Sequence, residues 1–282
     1  MKQEKHAYEY KIGLDSDSGP ARVVRLVGED RRVLEIGSGP GSITKILASV
    51  SKCRVTALDI DPASIQKVAP YCEQTYLIDL NRPNWTELVS HEHKFEVIVA
   101  ADVLEHVYDP LTVLKAMATF LDSNACMVIS LPHAGHAVIH ACLLDEDFEY
   151  GDSGLLDRTH IRFFGLKNMQ KLIEDANLKI IHAEFVVRNP EHTEFARRWS
   201  KSPALLRDIL ELNPFGLVYQ VILKVVTIHS DGVPVQLMNM SVLPQQPSVK
   251  ESIKSFVRSH CNTTTYLRFQ KIVDGIRFHL KL

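Results

Sequence analysis

Residues 33–41 read VLEIGSGPG, and this stretch decides the fold. Val33–Ile36 is a short apolar run with one acid, and Gly37, Gly39 and Gly41 alternate behind it. SITKILAS (42–49) follows, with Ile43, Ile46 and Leu47 at helical spacing. A strand, a glycine turn and a helix therefore meet here. Glycine in such a turn permits positive φ and lets the backbone approach a ligand at the helix N-terminus.

Working outward, RVTALDI (54–60), TYLID (75–79), FEVIVAAD (95–102) and ACMVISLP (125–132) read as further strands. PASIQKVAPY (62–71) and DPLTVLKAMATFL (109–121) read as helices. Asp61-Pro62 and Asp109-Pro110 open them, each pairing an N-cap with a first-turn proline. Nearly continuous apolar strands separated by helices indicate a parallel sheet covered on both faces. After a polar, glycine-containing stretch (133–160), the spacing predicts a helix ending near Asn177. Strands are expected over 178–187 and 217–228, with a helical insertion between them. Residues 1–30 read as a lead-in, 231–248 as a linker rich in Pro, Gln and Ser, and 249–282 as an amphipathic helical tail.

Composition narrows the function. A chain of 282 residues, 45% apolar and 23% charged, fits one large α/β domain with an appendage. Its net charge of −2 offers no general attraction to nucleic acid or anionic lipid. Five cysteines (Cys53, Cys72, Cys126, Cys142, Cys261) stand singly, which suggests reduced, packed thiols rather than disulfides or a zinc site. There is no apolar leader at the N-terminus and no run of about 18 apolar residues, so the cytoplasm is the expected location.

Two acids sharpen the glycine turn. A dinucleotide-binding turn would read G-x-G-x-x-G with an acid some 20 residues on. Here the spacing is GxGxG, and Glu35 stands two residues before Gly37. An anion there would repel a pyrophosphate, whereas it favours the ammonium and sulfonium of S-adenosylmethionine. Asp59 ends the second strand, where a carboxylate can accept both ribose hydroxyls; Asp61 is the alternative acceptor, although a helix cap suits it better. Asp79 ends the third strand and either meets an adenine amine or is satisfied by loop amides.

VLEIGSGPG, ALDID, ADVLEHVYDP (101–110) and DRTHIRFF (157–164) together resemble the class I methyltransferases, in particular the ubiquinone-biosynthesis and polysaccharide-biosynthesis group. The resemblance spans roughly residues 30 to 230. It implies a doubly wound, mostly parallel seven-stranded sheet of Rossmann-like methyltransferase type over 31–230, whose last antiparallel strand inserts beside the fifth. It implies S-adenosylmethionine as cofactor, held by Glu35, Gly37, Ser38, Gly39, Gly41, Asp59, Ile60, Asp79, Leu80 and Asp102.

Methyl transfer is an in-line displacement, so the protein must align the acceptor, and a base helps when the acceptor is a hydroxyl. His160 is the first choice of catalytic base because DRTHIRFF resembles a recurring motif over the acceptor pocket. His106 reads as a second base or as a packing group beside the cofactor. Asp102, Glu105 and His106 resemble the cation-holding cluster of quinone-methylating relatives, yet Asp102 replaces their glutamate, and no metal is expected. His133, His136 and Arg162 are expected on the substrate side, Arg162 as a fork for a phosphate or carboxylate. The competing reading makes Asp157 and Arg158 a surface pair, with Thr159 and His160 organising the loop.

The leading expectation is O-methylation of a sugar, nucleotide-sugar or glycan intermediate. The alternatives are a quinone or phenol O-methyltransferase, which predicts metal and a more apolar pocket, and a non-catalytic S-adenosylmethionine-binding module. A nucleic-acid substrate is not expected. From Lys250 onward seven basic residues face two acids, so the tail is read as a helix packed on the protein or a second subunit, with membrane contact as the sharper alternative.

Overall fold

The computed structural model describes residues 8–89 and 94–242. The helical tail, the end of the linker and Cys261 lie outside the described residues. Strands β1 (Arg32–Ile36), β2 (Arg54–Asp59), β3 (Gln74–Leu77), β4 (Phe95–Ala101), β5 (Leu121–Pro132), β6 (Leu178–Val187) and β7 (Val218–Thr227) form one sheet of order β3-β2-β1-β4-β5-β7-β6. The first five run parallel, and β7 pairs antiparallel with both β5 and β6. Expected and observed architecture agree.

Helices α2 (Ser42–Ser49), α3 (Pro62–Val68), α4 (Pro110–Ala118) and α6 (Leu166–Asp175) connect the strands. Asp61 accepts from the Ala63 and Ser64 amides and Asp109 from Thr112, so both aspartates act as caps. Side chains alternate across the sheet. Leu34, Ile36, Ile98, Met127 and Ile129 face the larger core with α4 and α6, while Val33, Val55, Val97, Val99 and Val128 face the smaller one. Glu35 falls on the smaller core's side, which is why a buried acid ends up under the glycine turn.

Three boundaries differ from expectation. The lead-in contains α1 (Gly19–Val27), whose Val23, Val24 and Val27 are buried against the sheet. Its valines repeat at helical spacing, but the segment precedes the motif that anchors the fold. The stretch 133–160 contains α5 (Ala137–Leu144), apolar all round and therefore without a helical stripe to recognise. It packs with Phe195 and Trp199, which belong to the insertion that forms α7 (Ala196–Lys201) and α8 (Ala204–Glu211). The first part of the expected linker is no linker: Val235 donates its amide to Ile180, and Leu237 is fully buried in the larger core. No helix among the described residues is long and apolar enough to cross a membrane.

Candidate active site

Parallel strands open a crevice at their carboxyl ends. Here the ends of β1, β2, β4 and β5 border a cavity of about 840 Å³, large enough for a nucleoside cofactor and a small acceptor together.

The half of the cavity proposed for the cofactor is made of backbone. Gly37 (φ 67°) and Gly39 (φ 51°) adopt the left-handed conformation, and a Cβ on Gly37 would lie 2.7 Å from Val103. The Gly37 and Ser38 amides bond to Leu58 O, tying the turn to β2. Asp59 accepts the Gly39 amide through Oδ2 at 2.6 Å and the Asp61 amide through Oδ1 at 2.8 Å. Each oxygen keeps a free lone-pair direction. Glu35 is 3% exposed, and its Oε2 has no hydrogen-bond partner. Burial, with the Asp59 charge adding, pushes its pKa up to about 8. An orphaned carboxylate oxygen, a turn that tolerates no side chain and a strand-end aspartate fit a ligand that brings an ammonium and a ribose. Ser38, Ile60, Asp79 and Leu80 line the same cavity. Asp79 also accepts the Asn81 amide at 2.9 Å. Gly41 does not line it: with φ 86° it caps α2, and a Cβ there would strike Val68 at 2.6 Å.

Asp102 sits between the halves with φ 54°, a conformation that costs on the order of 1 kcal/mol or more in a non-glycine residue. Its carboxylate is held by Ser130 Oγ at 2.9 Å and Gln220 Nε2 at 2.7 Å. The chain then makes a short turn, Leu104–His106, that sends Glu105 and His106 into the cavity. Glu105 is fully buried with both carboxylate oxygens unpartnered, and burial followed by the Asp102 charge raises its pKa well above the usual range. His106 Nδ1 lies 3.1 Å from Thr159 O and 3.0 Å from Thr159 Oγ1. Thr159 Oγ1 spends its own hydrogen on Asp157 Oδ1 at 2.6 Å, so Nδ1 must be the donor in both contacts. The neutral ring therefore carries its lone pair on Nε2.

His160 packs its ring edgewise on His106, 4.8 Å between centroids, with Nδ1 against Leu155 O and Nε2 3.9 Å from Glu105 Oε1. Burial, then the nearby His106, lowers its pKa. Glu105, His106 and His160 bring one ligand atom each within 4.8 Å of one another. Asp157 is not a surface partner of Arg158, which pairs with Asp152 instead. It is 1% exposed and also accepts the Tyr8 hydroxyl at 2.8 Å. Burial alone would raise its pKa, yet the Thr159 and Tyr8 hydrogen bonds bring it below its ordinary value.

Three residues expected on the substrate side stand elsewhere. His133 and His136 are buried behind the wall, bonded to Val218 O and Arg188 O, and burial drives the His136 pKa down to about 4. Arg162 is exposed and spends its guanidinium on Ile161 O and Tyr108 O. Tyr8, Tyr10, Arg188, Glu194, Tyr219 and Gln220 instead line the half of the cavity proposed for the acceptor. No short motif marks these positions; only the fold collects them.

A sequence profile for methyltransferase domains matches residues 15–183. The chain is 30% identical over 199 residues to the ubiquinone biosynthesis O-methyltransferase of Parvibaculum lavamentivorans, covering 68% of this chain and 72% of that one. It is 27% identical over 173 residues to the enzyme of the same name from Bradyrhizobium diazoefficiens, covering 61% and 66%. Among solved structures, an S-adenosylmethionine-dependent methyltransferase of Thermotoga maritima superposes with TM-score 0.50 at 13% identity, covering 73% and 86%. The [4+2]-cyclase SpnF superposes equally well, TM-score 0.50 at 12% identity, covering 79% and 85%, so these superpositions establish the fold and not the reaction. The matched domain covers more than half of the chain: the chain belongs to the methyltransferase-domain family and is an S-adenosylmethionine-dependent methyltransferase.

Proposed function

We propose that the protein O-methylates a hydroxylated small molecule of the sugar, nucleotide-sugar or glycan-intermediate class, with His106 as general base. The observation that carries this reading is the fixed His106 tautomer, which leaves Nε2 as the basic nitrogen of a cavity-lining ring. When bound, S-adenosylmethionine supplies a methyl group on a sulfonium. Glu35, Asp59 and the glycine turn hold and orient; His106 Nε2 takes the proton that leaves the acceptor hydroxyl. His160 packs edgewise on the His106 ring, with Glu105 beside it. The tyrosines, Thr159 and Gln220 give the acceptor half the polar lining that a hydroxyl-rich acceptor requires.

A second reading, O-methylation of a quinone or phenol, is favoured by the names of the two relatives and by the Glu105, His106 and His160 cluster, whose unpartnered buried carboxylate suits a divalent cation. A methyl-transfer screen of nucleotide sugars and catechols, with and without EDTA and added Mg²⁺, separates the two. Turnover of sugars that EDTA leaves intact, falling about a hundredfold or more in His106→Gln, is the expected result. EDTA-sensitive turnover of catechols alone would sink the first reading.

A further inference from the structure

Among the described residues that line the cavity only Arg188 is a lysine or arginine, whereas carboxylates are numerous. Those carboxylates are already committed. Asp102 is held by Ser130 and Gln220, and Asp157 by Thr159 and Tyr8. Glu194 accepts the Tyr219 hydroxyl at 3.0 Å and the Leu155 amide at 2.7 Å. Burial raises the Glu105 pKa well above the usual range.

Arg188 is the reverse case. Its guanidinium makes no side-chain hydrogen bond or ion pair among the described residues, yet it is held in place. It lies 4.0 Å from the centre of the Tyr219 ring, a cation–π contact. The ring is itself fixed by Glu194 and by the edgewise His136 at 5.7 Å. The Arg188 backbone is pinned on both sides, its amide to Leu217 O at 2.9 Å and its carbonyl to His136 Nε2 at 2.8 Å. The buried His136 thus has a use: it anchors the strand end that carries Arg188. A fork of donors that is positioned by its ring face and left unspent at its edge suits a planar or tetrahedral oxyanion.

We infer that the methyl acceptor is an acid, carrying a carboxylate or phosphate that Arg188 binds while its hydroxyl faces His106. This rests on the reading above that the acceptor enters this half of the cavity. It adds the charge of the substrate, which neither relative's name supplies.

The test pairs hydroxylated acids with neutral counterparts: 3,4-dihydroxybenzoate with its amide, glucuronic acid with glucuronamide, glycerol 3-phosphate with glycerol. Methyl transfer from labelled S-adenosylmethionine gives kcat/KM for each member. At least one acid should exceed its counterpart by about tenfold or more, mainly through KM, and Arg188→Met should collapse that ratio while cofactor affinity by calorimetry stays within twofold. Arg188→Lys, which keeps the charge and loses the fork, should fall between. The carboxylate and phosphate pairs tell the two oxyanion sources apart. Equal handling of acid and counterpart by the wild-type protein, with neutral members methylated, overturns the acid anchor and leaves O-methylation standing. No transfer to any member while the cofactor binds takes both down.

Discussion

The cofactor half of the cavity hangs on backbone drawn from residues 35–80, whereas the acceptor half gathers side chains from Tyr8 to Gln220. In the first, a glycine turn and the ends of neighbouring strands set the shape, and few side chains have any choice of place. In the second, the wall is assembled by contacts of long sequence separation: Tyr8 with Asp157, His106 with Thr159, Asp102 with Gln220. The first half can stay constant while the second changes its acceptor, because they share only the sheet beneath them and Asp102 between them.

The division is broken most directly at Asp59. Asp59→Ala removes a carboxylate suited to two ribose hydroxyls and also frees the Gly39 and Asp61 amides. Hydrogen bonds to a charged group contribute roughly 1.5–3 kcal/mol each, so S-adenosylmethionine affinity should fall about a hundredfold or more. Isothermal titration checks this, and NADH run alongside should not bind. Tight NADH binding, or an unchanged affinity for S-adenosylmethionine, would remove the basis for the cofactor half as described.

Glu35 gives the next largest effect, and it depends on pH. Its pKa is raised to about 8 by burial, so near neutrality the cofactor-free protein holds it protonated. A cationic ligand favours the ionised form, so binding should expel a proton. Affinity should then rise with pH, by up to tenfold per unit below about 8, and level off above it. Titrations in buffers of different ionisation enthalpy should report close to one proton released at pH 7, and Glu35→Gln should report none. The stability of the cofactor-free protein runs the other way. The folded state holds this proton more tightly than the unfolded chain, so stability is greatest below the ordinary carboxylate range and is lost as pH rises toward 8. Thermal melts of wild type and Glu35→Gln should diverge over that window.

The same contrast explains what could be read in advance. The places of Glu35, Gly37, Gly39 and Asp59 on the cavity were legible because one strand–turn–helix unit and the next strand fix them locally. The strands followed from apolar runs, and the antiparallel strand beside the fifth from the resemblance. Helix α1 and helix α5 were not legible, the one lying ahead of the motif and the other lacking a polar face. Histidines were misplaced for a chemical reason. A histidine in a loop near a sheet edge suits proton transfer, but it also suits bonding a buried carbonyl, and His133 and His136 do the latter. Arg162 stands beside a motif and so draws the reading to itself; Arg188 carries no motif, and its place on the cavity depends on where β6 ends.

The smallest expected effect tests whether the acceptor half does more than enclose. Thr159 both receives the His106 Nδ1 hydrogen and gives its own to Asp157, so it decides which nitrogen of His106 is basic. Thr159→Val keeps the volume and loses the hydroxyl; His106 then retains only the Thr159 carbonyl as acceptor, and Asp157 loses one of its donors. The rate of methyl transfer at saturating cofactor should fall by about tenfold, the cost of roughly one hydrogen bond at a positioned base, with little change in cofactor affinity. Thr159→Ser should restore most of it. Selective ¹⁵N labelling of histidine on the S-adenosylhomocysteine complex adds a readout that packing alone would not move: His106 should show the Nδ1–H form in wild type and in the serine variant, and a mixture of forms in the valine variant. A valine variant as fast as wild type, with the His106 signals unchanged, would mean that the ring is held by its carbonyl contact and by His160, and that the acceptor half contributes shape without setting the proton.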